Sequence, residues 1–229
     1  MKLSVIIPAY NEEHTIAQVI AKVQAVRLQS GMEREIIVVN DGSTDGTAQA
    51  LKAVSPDIKV VHQSNQGKTA ALVRGFQESN GDIILVQDAD LEYDPQNYPV
   101  LLEPLINGSA LAVYGSRFLG TIEGMAPINR WANLISNWTF SALFGFKITD
   151  INTCYKVFAR GAIRDIPITS RNFAFETEVT VKLLRKGIKI KEVPIHYSAR
   201  SRKQGKKIKW STALEMFWPI LKYRFCRGN

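Results

Sequence analysis

Along the first half of the chain, short apolar runs alternate with stretches whose apolar residues recur at helical spacing. Leu3 to Ile7, Glu35 to Val39, Ile58 to His62 and Asp82 to Gln87 read as strands. Between them, Ile16, Val19, Ile20, Val23 and Val26 repeat at the three-and-four spacing of one helix face, as do Ala48, Ala50 and Leu51, and then Ala71, Leu72, Gly75 and Phe76. Strands alternating with helices predict an α/β fold with a mostly parallel central sheet flanked by helices. The second half adds predicted strands at Ala110 to Tyr114, after Asp150, and at Ile188 to Ile195. A helix opens at Phe175-Glu176-Thr177-Glu178. Ala126 to Phe146, rich in Trp, Phe, Leu and Asn, reads equally as a core helix pair or as an acceptor-binding or interfacial surface. The last segment, Trp210 to Phe225, reads as an amphipathic helix broken at Pro219.

In a parallel α/β sheet, ligands bind beyond the carboxyl ends of the strands. Four polar motifs fall there. Pro8-Ala9-Tyr10-Asn11-Glu12 follows the first strand and Asn40-Asp41-Gly42-Ser43-Thr44-Asp45-Gly46 the second. Asp41 is suited to accept from a base or ribose, and Asp45 to cap the next helix. Asn65-Gln66-Gly67-Lys68 follows the third, its Gly permitting close backbone approach and its Lys suited to a phosphate. The fourth strand, Ile83 to Val86, is an unbroken apolar run of the kind buried on both faces. It ends in Asp88, Asp90, Glu92 and Asp94 at every second position, with no Lys or Arg among them. Such a cluster repels itself unless a hard cation such as Mg²⁺ or Mn²⁺ neutralises it. Singly, each motif is ordinary turn chemistry. Four on one sheet edge predict a site.

A net charge of +8 implies an acidic partner. Much of the excess lies between Arg185 and Lys209, where ten cations face the single acid Glu192. No G-x-G-x-x-G and no G-x-x-x-x-G-K-[ST] occurs, which disfavours a dinucleotide-binding Rossmann domain and a P-loop nucleotide hydrolase. Two cysteines, Cys154 and Cys226, fit neither a disulfide framework nor a metal site, and suit a reducing compartment. With no signal-peptide pattern and no apolar stretch of spanning length, the expectation is a cytoplasmic protein, peripheral on the cytoplasmic face of a membrane.

Val5-Ile6-Ile7-Pro8-Ala9-Tyr10-Asn11-Glu12, Val39-Asn40-Asp41-Gly42-Ser43-Thr44-Asp45-Gly46-Thr47, Asn65-Gln66-Gly67-Lys68 and Asp88-Ala89-Asp90 together resemble the ordered motifs of family 2 glycosyltransferases, which have the GT-A fold. Asn40 departs from the acid or hydrophobe usual before Asp-Gly-Ser, which leaves the nucleobase open. The C-terminal half is similar to the branch that makes dolichol-phosphate mannose and polyprenyl-phosphate glucose. The resemblance implies one catalytic domain over residues 1–208, with a nucleotide-sugar half (1–115) and an acceptor half (116–208), then an amphipathic segment (209–229). It implies that Pro8, Ala9, Tyr10, Glu12 and Asp41 hold the nucleoside, with Lys68 and Ala89 in the same binding set. Asp88 would lie beside the ribose and diphosphate, and Asp90 would ligate Mg²⁺ or Mn²⁺, with Asp88 and Glu92 assisting. A basic loop with Arg200, Arg202 and Lys207 would close over the diphosphate, either arginine matching the family residue.

Arg117 and Arg130, with no obvious local acids, are the expected ligands of a polyprenyl phosphate acceptor, and Asp150 is expected to orient it. Such a phosphate is largely dianionic at neutral pH and scarcely needs a general base. None is evident among His14, His62 and His196. Acids in a first helical turn favour the macrodipole, which explains Glu176 and Glu178; they are the fallback base if the acceptor is a hydroxyl. Two rival readings stand beside this one: a family 2 enzyme with a glycan or other hydroxyl acceptor, and a basic module for nucleotide or nucleic acid. The acidic strand end argues against nucleic acid.

Overall fold

The computed structural model describes residues 1–54, 56–170, 174–200 and 211–225. Arg202, Lys203, Gly205 and Lys207 of the basic loop, with Trp210 and Cys226, lie outside the described residues. The first half forms strands β1 (Lys2–Ala9), β2 (Glu33–Asp41), β3 (Ile58–Gln63) and β4 (Ile83–Val86), with helices α1 (Ile16–Ala25), α2 (Thr47–Lys52) and α3 (Lys68–Glu78) in the intervals. The second half adds α4 (Tyr98–Ile106), β5 (Ala112–Glu123), α5 (Pro127–Phe144), β6 (Lys156–Ala159), the short α6 (Arg160–Ile163), α7 (Phe175–Arg185), β7 (Ile190–Ser198) and α8 (Ser211–Phe225).

One seven-stranded sheet draws on both halves, in the order β3-β2-β1-β4-β6-β5-β7. β3, β2, β1 and β4 are mutually parallel. β6 alone runs the other way, antiparallel to β4 and β5, while β5 and β7 are again parallel. The continuous apolar runs follow from burial on both faces. Leu3, Val5 and Ile7 of β1 pack with Ile16, Val19 and Ile20 of α1 and Leu101 of α4 on one side. Ile6 joins Val86, Leu72 of α3, Phe140 of α5 and Val179 of α7 on the other. There, α3 lies so close to β1 that a Cβ on Gly75 would stand 2.2 Å from Ile6 Cγ2.

Three elements differ from expectation. β5 extends well beyond Tyr114, because a register shift between Ser116 and Thr121 lets it pair twice with β7. At that irregularity, a Cβ on Gly120 would come within 2.0 Å of the Ile195 carbonyl oxygen, so only glycine fits. α5 is one helix rather than a pair, and it ends at Gly145 in the left-handed conformation. α8 continues through Pro219, although a proline there removes one backbone hydrogen bond. The neighbouring Ile220 is fully buried in the core with Phe140 and Val179, which anchors the helix beyond the proline.

Lys156 opens β6 with no exposure to solvent. Its Nζ donates to the Ile151 carbonyl at 3.1 Å and stands 3.6 Å from the Tyr114 ring centroid. Burial pushes its pKa down to about 8 against the opposing pull of Glu176 and Asp150. Between about pH 8 and 10.5 the unfolded chain therefore keeps a proton that the folded chain has released. Relative to a Lys156→Met variant, parent stability in urea unfolding should rise across that window, by up to roughly 3 kcal/mol. A flat difference would show that Lys156 stays charged in the fold.

Candidate active site

The strand directions decide where the chemistry gathers. β1, β2, β3 and β4 all end at one edge of the sheet, and so do β5 and β7. Because β6 is antiparallel, the loop that precedes it, 150–155, reaches the same edge. There the chain encloses a cavity of about 420 Å³. Pro8, Ala9, Tyr10 and Glu12 line it from β1, Asp41 from β2, and Gly67 and Lys68 from the start of α3. Asp88, Ala89, Asp90 and Glu92 follow β4, Arg117 lies on β5, and Arg200 follows β7. Arg130 and Asp150 are not part of the wall.

The first three motifs are tied together by their own polar groups. Across the β1 and β2 loops, the Asn11 amide donates to Ser43 Oγ and Asn11 Oδ1 accepts from the Thr44 amide, while the Glu12 amide donates to Thr47 Oγ1 at 2.8 Å. Asn40 Oδ1 accepts from the Ser43 amide, while its Nδ2 meets His62 Nδ1 at 3.1 Å. Asp45 Oδ1 accepts from the Thr47 amide at 2.9 Å, from one position before the N-cap, which is Gly46, so Asp45 braces the start of α2 without occupying the expected capping position. Asp41 is 3% exposed. Its Oδ1 accepts from Gln63 Nε2 and the Gln66 amide, and its Oδ2 from the Gly67 amide at 2.8 Å. The carboxylate thus holds the turn at Gly67, which takes a φ of +92°. That turn launches α3 with Lys68 toward the cavity.

The acidic edge corrects the expectation of carboxylates without cations. Lys68 Nζ lies 2.9 Å from Asp88 Oδ1, and Arg200 bridges Asp90 and Glu12 at 3.2 Å each. The cations arrive from distant sequence, which a local reading cannot see. Nor do the acids continue a strand. β4 ends at Val86, and Leu91 takes a positive φ of 63°, so the every-second-residue alternation breaks there. Glu92 consequently accepts from Tyr197 Oη and from the Arg200 amide, beside the bridge between Tyr93 and Tyr197.

Charge balance bears on whether a metal fits. Among the described residues that line the cavity, Glu12, Asp41, Asp88, Asp90, Glu92 and Glu176 face Lys68, Arg117 and Arg200, so there acids outnumber cations two to one. Burial, followed by the charges of Asp88 and Glu92, pushes the Asp90 carboxyl up to about 7 despite Arg200. Among the described residues no three acid, His or Cys side chains are grouped to hold an ion by themselves. The expected set of Asp88, Asp90 and Glu92 is therefore not preassembled. Two oxygen donors beside an excess of negative charge nevertheless suit Mg²⁺ or Mn²⁺, since Mg²⁺ commonly takes one or two carboxylates and completes its shell with waters and substrate phosphates.

Arg117 also has an acid after all. Asp150, 33 residues on, accepts from Arg117 Nε and Nη2 at 2.7 Å each and from its amide at 3.0 Å. Burial works against the guanidinium charge, and Asp150 more than offsets it. Asp150 is itself fully buried, so it positions Arg117 rather than touching anything in the cavity. Asn133 Oδ1 receives a further contact from Arg117 Nη2, and the Tyr197 ring lies 5.2 Å beneath. Arg130 is exposed one position past the α5 face that meets the cavity through Asn129, Ala132, Asn133 and Ser136.

Glu176 and Glu178 separate in role. Glu178 accepts from the Thr169 and Ser170 amides and from Lys182; these donors outweigh burial and bring its carboxyl down to about 2. It is a structural acid and no reserve base. Glu176 lines the cavity with Oε1 3.3 Å from Lys68 Nζ. Cys154, whose thiol burial and Asp88 push up, lies 3.2 Å from the same Nζ. Sequence reasoning missed Asn133, Asn152, Cys154 and Tyr197 as wall residues; α5 brings in Asn133, the loop before the antiparallel β6 brings in Asn152 and Cys154, and β7 brings in Tyr197.

The glycosyl transferase family 2 model matches residues 4–166. A dolichol-phosphate mannosyltransferase of Pyrococcus furiosus is 33% identical over 226 residues, covering 94% of this chain and 61% of that protein. An undecaprenyl-phosphate 4-deoxy-4-formamido-L-arabinose transferase of Pseudomonas fluorescens is 30% identical over 199 residues, covering 79% and 57%. The chain thus spans less than two thirds of the length of these relatives. Among solved structures, glucosyl-3-phosphoglycerate synthase from Mycobacterium tuberculosis, in complex with Mn²⁺, uridine diphosphate and phosphoglyceric acid, is similar with a TM-score of 0.77 at 22% identity, covering 100% of this chain and 80% of that one. The shared architecture is the GT-A fold that the sequence motifs implied. With its four strand-end motifs gathered on one cavity and the family match running from β1 past α6, the chain belongs to glycosyl transferase family 2.

Proposed function

We propose that this chain transfers a hexose, with inversion, from a nucleoside-diphosphate sugar of the GDP-mannose or UDP-glucose type to a polyprenyl phosphate, either dolichyl or undecaprenyl, in the presence of Mg²⁺ or Mn²⁺. One observation carries the reading. A single cavity joins an acid-rich wall at the end of β4 to a buried, carboxylate-clamped arginine on β5. The names of the two relatives support a polyprenyl-phosphate acceptor, and the Mn²⁺ and uridine diphosphate in the solved neighbour support the donor and metal classes.

Each half has its work. Tyr10, Glu12 and Asp41 flank the nucleoside, with Pro8 and Ala9 as its floor. Asp90 and Asp88 would hold the divalent cation, which supplies positive charge against the leaving nucleoside diphosphate. Lys68 and Arg200 stand beside those two carboxylates and stabilise the same developing charge. Arg202 and Lys207 belong to the same proposed set. Across the cavity, Asp150 fixes the Arg117 fork so that its remaining N–H groups meet the acceptor phosphate. Arg130, exposed near the same face, steers that phosphate in. The dianion attacks the anomeric carbon without help from a protein base, and no histidine is among the described residues that line the cavity.

The acceptor's lipid places the chain at a membrane surface on its cytoplasmic face. No helix among the described residues is long and apolar enough to cross a bilayer. α5 instead turns Ile128, Trp131, Ile135 and Trp138 outward, at exposures of 53 to 72%, on the side opposite its cavity face. α8 packs beside it and exposes Trp218 and Phe225. Apolar side chains on one helix face with Trp among them suit the headgroup region.

Label from a radioactive nucleotide sugar should partition into an organic-extractable product when Mn²⁺ is supplied, and chelation should abolish it. Label confined to water-soluble product would instead establish a hydroxyl acceptor. Asp90→Asn removes a carboxylate strained by its neighbours. The variant should melt higher than the parent at pH 8 without metal, lose the thermal shift given by Mn²⁺ with nucleoside diphosphate, and lose roughly 10²- to 10³-fold in kcat. An undiminished shift would dismiss Asp90 as a ligand. Replacing Trp131 and Trp138 together with Ser should cut co-sedimentation with anionic vesicles by about tenfold; transfer to a short, detergent-soluble polyprenyl phosphate should persist.

A further inference from the structure

Glu176 does not fit the machinery described above. It sits in the first turn of α7, 3% exposed, on the wall of the cavity. Lys68 Nζ serves its Oε1, but shares itself with Asp88 and Cys154. Its Oε2 is buried and has no hydrogen-bond partner among the described residues. An ionised carboxylate accepts at both oxygens, and leaving one unserved in a buried place is costly. The two oxygens exchange by rotation about a terminal torsion that is broad, so either can turn to the cavity.

The chemistry of the missing partner is restricted by its surroundings. One ammonium stands between two carboxylates, Asp88 and Glu176, so the group carries a net negative charge. A phosphate placed directly against Glu176 is repelled, because the one ammonium is already shared with Asp88. A neutral group bearing O–H donors is what the position accepts. On the proposed reading of the cavity, on which this step rests, the diphosphate lies toward Asp90 and Arg200, and the ligand part carrying neutral hydroxyls is the hexose.

We infer that Glu176 is a specificity-determining residue that accepts a hydrogen bond from a hydroxyl of the donor sugar, with Lys68 holding its other oxygen in place. A site built to pair with a hydroxyl discriminates strongly against the analogue that lacks it. The cavity therefore selects hexoses by the position of one hydroxyl.

The test is calorimetric, with Mn²⁺, UDP-glucose, GDP-mannose, the matching free nucleoside diphosphates, and monodeoxy forms of whichever sugar nucleotide binds. The parent should bind one monodeoxy donor roughly 10- to 100-fold more weakly than the full sugar. In Glu176→Ala that penalty should shrink to about the level of the other positions, and in Glu176→Gln it should be partly restored, as a pairwise coupling requires. Free nucleoside diphosphate should bind parent and variants alike, which also reports that the variants fold. Equal penalties in parent and Glu176→Ala would overturn the assignment. So would a fall in kcat with donor affinity unchanged, which would make Glu176 a base, or a parallel loss of nucleoside diphosphate binding. Failure of the parent to bind any sugar nucleotide while it binds free nucleoside diphosphate would remove the donor reading itself, and the assignment with it; that outcome is visible without any variant.

Discussion

Negative charge gathered in a small enclosed space is the constraint on which this structure depends. The chain as a whole is strongly basic, yet among the described residues lining its cavity six carboxylates meet three cations. Coulombic repulsion between them is strengthened by burial, and Asp90 shows the strain most clearly. Lys68 and Arg200 relieve part of it. Each comes from an element far along the chain, one at the start of α3 and the other past the end of β7. Folding the sheet is what delivers those cations, so the acid cluster is tolerable only in the assembled protein.

Much of the architecture was legible in the sequence because the relevant signals are local. Ile83 to Val86 is apolar without interruption, as a strand covered on both faces must be, and the intervals between strands carry clean helical spacing. The strand-end motifs could be read for the same reason: a parallel sheet converts order along the chain into position on one edge. What could not be read was pairing across distance. Arg117 looked unpartnered because Asp150 lies 33 residues away, and the two meet only because β6 runs against β5. The acids were read as one cluster, and the positive φ at Leu91, a residue with no turn signature, is what sets Glu92 apart from Asp88 and Asp90.

Glu176 illustrates the same limit. Its place in a first helical turn has an adequate local explanation, shared with Glu178. Only the tertiary arrangement separates the two: Glu178 is closed in by amide donors and Lys182, whereas Glu176 reaches the cavity wall beside Lys68. Identical residue types two positions apart thus have different fates, decided by which way α7 faces against α3.

Asp41 has one more consequence. Its carboxylate braces the Gln66-Gly67 turn and thereby the root of α3, from which Lys68 extends. Any molecule that donates hydrogen bonds to Asp41 competes with that brace, and whatever it does to the placement of Lys68 must be returned in kind, since linkage between two sites is reciprocal. On the proposed reading of the cavity, nucleoside recognition at Asp41 and the placement of Lys68 would then be coupled through one side chain and one turn of backbone.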